Sequence, residues 1–101
     1  MNEGNLSREA VLQELRNHQA EFKRLYGVTK IGIFGSVARD EPCKNSDVDV
    51  VVEMKEPDLF YLVHIKETLE KVLKRQVDVI RYRDKMNRYL KARIDREALY
   101  A

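Results

Sequence analysis

Three aspartates set in valine-rich runs are the side chains of this sequence best suited to chemistry. Asp47 and Asp49 stand in Asp47-Val48-Asp49-Val50-Val51-Val52, and Asp78 stands in Gln76-Val77-Asp78-Val79-Ile80. In a strand, side chains two apart share a face, so Asp47 and Asp49 project together about 6.5 to 7 Å apart while Val48, Val50 and Val52 turn to the core. Paired carboxylates at the edge of an apolar sheet repel and are partly desolvated, which calls for a compensating charge. A divalent cation supplies one. With Asp78 beside them on the same face, three carboxylates converge. Hard oxygen ligands on rigid strands, with room left for phosphate and water, suit magnesium acting on a nucleotide. The outline is that of metal-dependent phosphoryl or nucleotidyl transfer.

Gly35-Ser36 adds an anion site. Glycine lets a phosphate approach the backbone, and N–H groups at the start of a following helical turn, with the serine hydroxyl, form a cradle. Arg39, one turn after Ser36, adds a cation to the same phosphates. Alone, a Gly-Ser pair after a strand is most often an ordinary turn, and an Asp-x-Asp a solvated strand end or cap. Their joint occurrence in this order carries the specificity.

The elements that must position these groups follow from periodicity. Ser7 reads as a helix N-cap with Glu9 in the first turn, and Val11, Leu15, His18, Phe22 and Leu25 recur at helical spacing as far as Tyr26, with Gly27 as terminator. Thr29 to Phe34 reads as strand one, followed by a short helical turn from Val37 and a surface loop over Asp40 to Ser46. Asp47 to Glu53 is strand two. Pro57-Asp58 opens a helix with the stripe Leu62, Ile65, Leu69, Val72 and Leu73. Gln76 to Tyr82 is strand three, and Met86, Leu90 and Ile94 give the rhythm of a final basic helix. The expected architecture is α+β: a small mixed three-stranded sheet covered by helices on one side, in the order α-β-α-β-α-β-α.

Composition narrows the class. A length of 101 residues predicts one domain over residues 1–101, and 44% hydrophobic with 36% charged residues predicts a soluble globular protein. No run is apolar enough to span a membrane, and residues 1–10 lack the basic and apolar regions of a secretory signal, so the cytoplasm is the expected location. The single cysteine, Cys43, excludes an internal disulfide and reads as an incidental thiol. A net charge of +2 is too small for a general nucleic-acid coat. Charge does concentrate locally: Arg81, Arg83, Lys85, Arg88, Lys91, Arg93 and Arg96 face only Asp84 and Asp95 in that stretch. It reads as a solvated helix face, or as a docking surface for an acidic protein or RNA. His18 reads as a core-edge residue with a satisfied ring, His64 as surface, and Tyr26 and Tyr61 as packing residues.

Gly35-Ser36-Val37-Ala38-Arg39, Ser46-Asp47-Val48-Asp49-Val50 and Val77-Asp78-Val79 together resemble the signature of the nucleotidyltransferase superfamily that includes DNA polymerase β. The sequence looks most like the minimal nucleotidyltransferase (MNT) branch, whose members also carry a basic segment like Tyr89 to Ile94. The resemblance implies Asp47, Asp49 and Asp78 as magnesium ligands, with Asp78 also helping to deprotonate the attacking hydroxyl. It implies Gly35 and Ser36 as the pair that positions the phosphates of ATP. Small MNT proteins often pair with HEPN-domain toxins as antitoxins and transfer AMP from ATP to a toxin tyrosine, so that activity, of EC 2.7.7 type, is the expectation here. The alternatives are an MNT domain that neutralises its partner by binding alone and an RNA-binding module. A partner or second copy of the chain would complete the acceptor side. One position departs from the family: Asp40 stands where glycine is usual, and aspartate takes a left-handed backbone less readily than glycine.

Overall fold

The computed structural model describes residues 7–41 and 47–101. Ser7 caps the first helix, its hydroxyl accepting from the Ala10 N–H at 3.1 Å, and α1 runs over Arg8–Tyr26 to Gly27. Val11, Leu12, Leu15 and Phe22 form its buried stripe, whereas Leu25 is exposed. The chain reverses into β1 (Val28–Phe34), and β2 (Val48–Met54) runs antiparallel to it. Asp58 caps α2 (Leu59–Leu73), which buries Ile65, Leu69 and Leu73 but leaves Val72 outside. β3 (Val77–Arg81) then lies parallel to β2, the crossover being made by α2. Asn87 caps α3 (Arg88–Glu97), and β4 (Leu99–Tyr100) closes the chain antiparallel to β1. The sheet is mixed, in the order β3-β2-β1-β4.

Three expectations need correction. The sheet has a fourth strand, because the two residues of β4 find a free edge on β1, and a segment so short carries no alternation that a sequence could show. The short helical turn expected from Val37 is no helix: it is a turn held by the Arg39 N–H on the Gly35 carbonyl at 3.1 Å and the Asp40 N–H on the Val37 carbonyl at 3.0 Å. The helices cover both faces. On one, α1 and α2 pack against Ile31, Ile33, Val48, Val50, Val52 and Val77. On the other, Ile94 of α3 packs against Phe34 and Val51, with Ile80, Tyr82 and Leu90 at the margin. Strand alternation explains why both faces need cover: Val51 and Ile80 point away from the main core and are too apolar to leave in water. The expected loop residues 42–46, including Cys43 and Ser46, lie outside the described residues.

The bland expectations for the aromatic residues hold. The His18 ring meets the Glu14 carbonyl at 3.0 Å and stacks on Phe22, and Tyr26 packs against Tyr61 with ring centroids 5.1 Å apart. His64 is exposed. No helix among the described residues is long and apolar enough to cross a membrane.

Candidate active site

The strand directions bring the chemically interesting residues to one end of the sheet. β1 delivers its C-terminal end there, and β2 and β3 their N-terminal ends. Phe34 pairs with Asp49, so Gly35 and Ser36 follow immediately beside the carboxylates. Asp49 pairs with Asp78 across the parallel ladder, which sets their backbones about 4.8 Å apart with both side chains on the α3 face. Asp47 directly precedes β2 and is exposed, as is Asp78, while Asp49 is half-buried.

The ionisation of Asp49 reports what surrounds it. Burial pushes its carboxyl up, Arg93 pulls it down, Asp78 and Asp47 push it up again, and Arg39 pulls it down. The three aspartates are therefore close enough to repel through Asp49, as their spacing predicts. They are not a closed cage: among the described residues no three His, Cys, Asp or Glu side chains already stand close enough to share one ion. Carboxylate oxygens that repel one another on one sheet face suit a divalent cation in donor type and in charge, and a bound ion would have to draw them together.

The turn after β1 is shaped by close approach. Gly35 adopts φ 77°, and a Cβ there would overlap the Asp49 carboxylate and reach within 3.1 Å of Arg93 Nη2. Only glycine meets both demands. Asp40 adopts φ 60°, the left-handed conformation that the usual glycine would take freely. The turn is tied by the Glu41 N–H on the Ser36 carbonyl at 2.9 Å, and Arg8 of α1 braces it through the Ala38 carbonyl at 3.2 Å.

Two residues of this site escape sequence reasoning. In sequence Arg93 reads only as part of a basic stretch; in the fold its guanidinium stands over the Phe34 ring at 5.6 Å and acts on Asp49. Glu97, the last residue of α3, points into the turn. Its Oε1 accepts from the Gly35 N–H at 3.2 Å and from Arg39 Nη1 at 3.0 Å, and lies 3.5 Å from Arg93 Nε. Burial pushes the Glu97 carboxyl up, but the Gly35 N–H, Arg39 and Arg93 more than offset it and hold it below the usual range. Arg39 accordingly turns to Glu97 and to Glu41, the latter at 3.0 Å. No signal along the chain marks Glu97, because only the β4 pairing swings the end of α3 back beside Gly35.

A mixed sheet whose carboxylate-bearing strand ends face a glycine-serine turn defines a nucleotidyltransferase core. The nucleotidyltransferase domain family matches residues 15–100, and the chain belongs to it. Among its relatives is the protein adenylyltransferase MntA of Thermococcus cleftensis, 37% identical over 76 residues that cover 74% of this chain and 77% of that one. In fold the chain is similar to a protein of a toxin-antitoxin complex crystallised with AMP-PNP, at TM-score 0.69 and 20% identity over 94% of this chain and 72% of that one. It is similar also to a chain of the tri-AMPylated Shewanella oneidensis HEPN toxin in complex with MNT antitoxin, at TM-score 0.68 and 15% identity over 92% and 70% of the two chains. The enzyme class, nucleotidyltransferase, follows from the family.

Proposed function

We propose that this nucleotidyltransferase is the antitoxin of a HEPN/MNT pair and transfers AMP from ATP to a tyrosine hydroxyl of its partner toxin. The observation that carries the reading is the registered pair Asp49 and Asp78, with the Asp49 carboxylate set directly against the Gly35 turn. The adenylyltransferase name of the relative at 37% identity supports the reaction, and the HEPN complex of the fold neighbour supports the partner.

In this reading Asp47, Asp49 and Asp78 hold magnesium, which when bound supplies charge neutralisation at the attacked α-phosphorus and the departing pyrophosphate. Gly35, Ser36 and Arg39 grip the phosphates from the opposite side. Asp78 is exposed on the edge strand, where an incoming tyrosine can reach it, and takes the hydroxyl proton. The tyrosine oxygen then bonds to the α-phosphorus as the bond to the pyrophosphate oxygen breaks. Lys91 pairs with Asp84 at 3.7 Å, and Arg93 and Arg96 pair with Glu97, so part of the basic stretch is neutralised within the fold, which weighs against RNA as the ligand.

The test is incubation of the protein with ATP labelled at the α-phosphate, magnesium and a purified candidate HEPN toxin. Label is expected on a toxin tyrosine, and Asp47→Asn and Asp49→Asn should abolish it. Toxin neutralisation that survives both substitutions would replace transfer with inhibition by contact.

A further inference from the structure

Glu97 stands where the anion cradle would hold its ligand. A single oxygen, Oε1, collects the Gly35 N–H at 3.2 Å, Arg39 Nη1 at 3.0 Å and Arg93 Nε at 3.5 Å. These donors come from a strand end, a turn and a helix, and they converge on one point. A phosphate oxygen seeks the same donors in the same geometry. Two anionic oxygens cannot share that point, since contact distance would make their repulsion far exceed what the arginines return.

The placement of Glu97 on its own helix sharpens the case. A carboxylate in the last turn of a helix meets the negative end of the macrodipole and is disfavoured there. The dipole therefore gives no reason for an acid at this position; its compensation comes from Arg39 across the turn and from Arg93, one turn back on α3. Leaving is simple, because Glu97 is the final residue of α3 and its side chain can rotate without breaking the helix. Its second oxygen already lies 3.7 Å from Nη2 of the exposed Arg96, a partner on the way out.

We propose that Glu97 is a built-in competitor for the phosphate site: its carboxylate occupies the cradle of Gly35, Arg39 and Arg93 and must swing out before a triphosphate enters. The inference rests on the nucleotide-site reading given above and goes beyond it by naming the residue that sets affinity. While seated, Glu97 keeps Arg39 and Arg93 gathered at the turn. Once displaced, it frees Arg93 and the Nη1 group of Arg39 for the phosphates, while Glu41 still holds Arg39 Nε at 3.0 Å. The empty enzyme thus carries an internal anion, and binding is an exchange of one anion for another.

The experiment is equilibrium binding by calorimetry of inorganic tripolyphosphate, an ATP analogue with a methylene bridge between the α- and β-phosphates, and adenosine. The proteins are the full chain and its Glu97→Gln, Glu97→Ala and Glu97→Asp forms. Glu97→Gln keeps an acceptor for the Gly35 N–H, so the turn has a partner when the charge is gone. Tripolyphosphate and the analogue are expected to bind Glu97→Gln and Glu97→Ala about tenfold more tightly than wild type, with adenosine unchanged and Glu97→Asp close to wild type. In the wild-type chain, tripolyphosphate should also shift the ¹³C resonance of the Glu97 carboxyl. Equal or weaker binding to Glu97→Gln, or an unmoved resonance at saturation, overturns the inference, and weaker binding would make Glu97 a positioning residue for the arginines. If wild type and every variant bind neither tripolyphosphate nor the analogue, the nucleotide-site reading itself fails and takes the inference with it.

Discussion

On the face of the sheet covered by α1 and α2, Ile31, Ile33, Val48, Val50, Val52 and Val77 are buried among apolar neighbours. On the opposite face the same strands offer Phe34 and Val51 to α3, then give way at one end to Asp49, Asp78 and the Gly35 turn. Neighbouring residues of one strand, Val48 and Asp49 for instance, therefore serve opposite ends. The first face can be optimised for burial alone. The second has to leave a charged, partly dry end where α3 stops short, and its side chains hold each other by ion pairs rather than by packing.

The sharpest test of this division is Asp49→Asn. Transfer should fall on the order of 10³-fold, measured as label incorporated from ATP, since the proposed mechanism assigns this carboxylate to the metal. Stability should move the other way. Because burial raises the Asp49 carboxyl, the unfolded chain releases that proton first as pH rises, so ionised Asp49 weighs against folding above its raised value. Asp49→Asn should therefore melt above wild type at pH 7, and the gain should vanish as pH falls below the ordinary carboxylate value of 3.8, where both states are neutral. A lower melting temperature at pH 7 would mean that the pairing of Asp49 with Arg93 outweighs burial.

Ile33→Ala probes the other face. Ile33 is fully buried, and its truncation should cost about 2 to 5 kcal/mol in urea unfolding while transfer stays within about threefold where the protein remains folded. A large loss of transfer at full folding would show that the two faces are coupled more tightly than their chemistry suggests.

Gly32→Ala acts at the join. A Cβ there would lie 2.5 Å from the Leu99 carbonyl oxygen and 2.8 Å from the Tyr100 ring, so β4 must shift. The expected cost is about 1 to 3 kcal/mol, with faster hydrogen exchange at the Ala101 amide, which donates to the Ile31 carbonyl at 2.9 Å. Unchanged exchange would mean that β4 accommodates the methyl without moving.

The smallest effect is expected from Asp40→Gly. Relief of the left-handed conformation should stabilise the chain by about 0.5 kcal/mol, net of the extra freedom glycine has when unfolded. Destabilisation would instead assign the Asp40 side chain a contact of its own.

Much of this architecture was legible because its signals are local. Ser7, Asp58 and Gly27 mark helix ends through backbone chemistry confined to a single turn. Asp47, Asp49 and Asp78 announce themselves by interrupting valine alternation, and Gly35-Ser36 by ending a strand. Leu25 and Val72 read as stripe residues yet stand exposed, because an apolar residue at the margin of a helical stripe has the same spacing whether or not a neighbour covers it. The use of both sheet faces was hidden for a related reason: alternation tells which residues share a face, but not which helix crosses to it.

Sequence alone determined the helices, the three longer strands, the aspartate positions and the glycine turn, since each follows from the spacing of neighbours along one stretch of chain. Tertiary structure alone decided that β3 lies parallel to β2, which sets Asp78 beside Asp49, and that β4 returns to β1, which carries Arg93 and Glu97 to Gly35. Both are encounters between segments distant in sequence. Their outcome depends on which sheet edge is open and which apolar face is bare, and those are properties of the assembled chain.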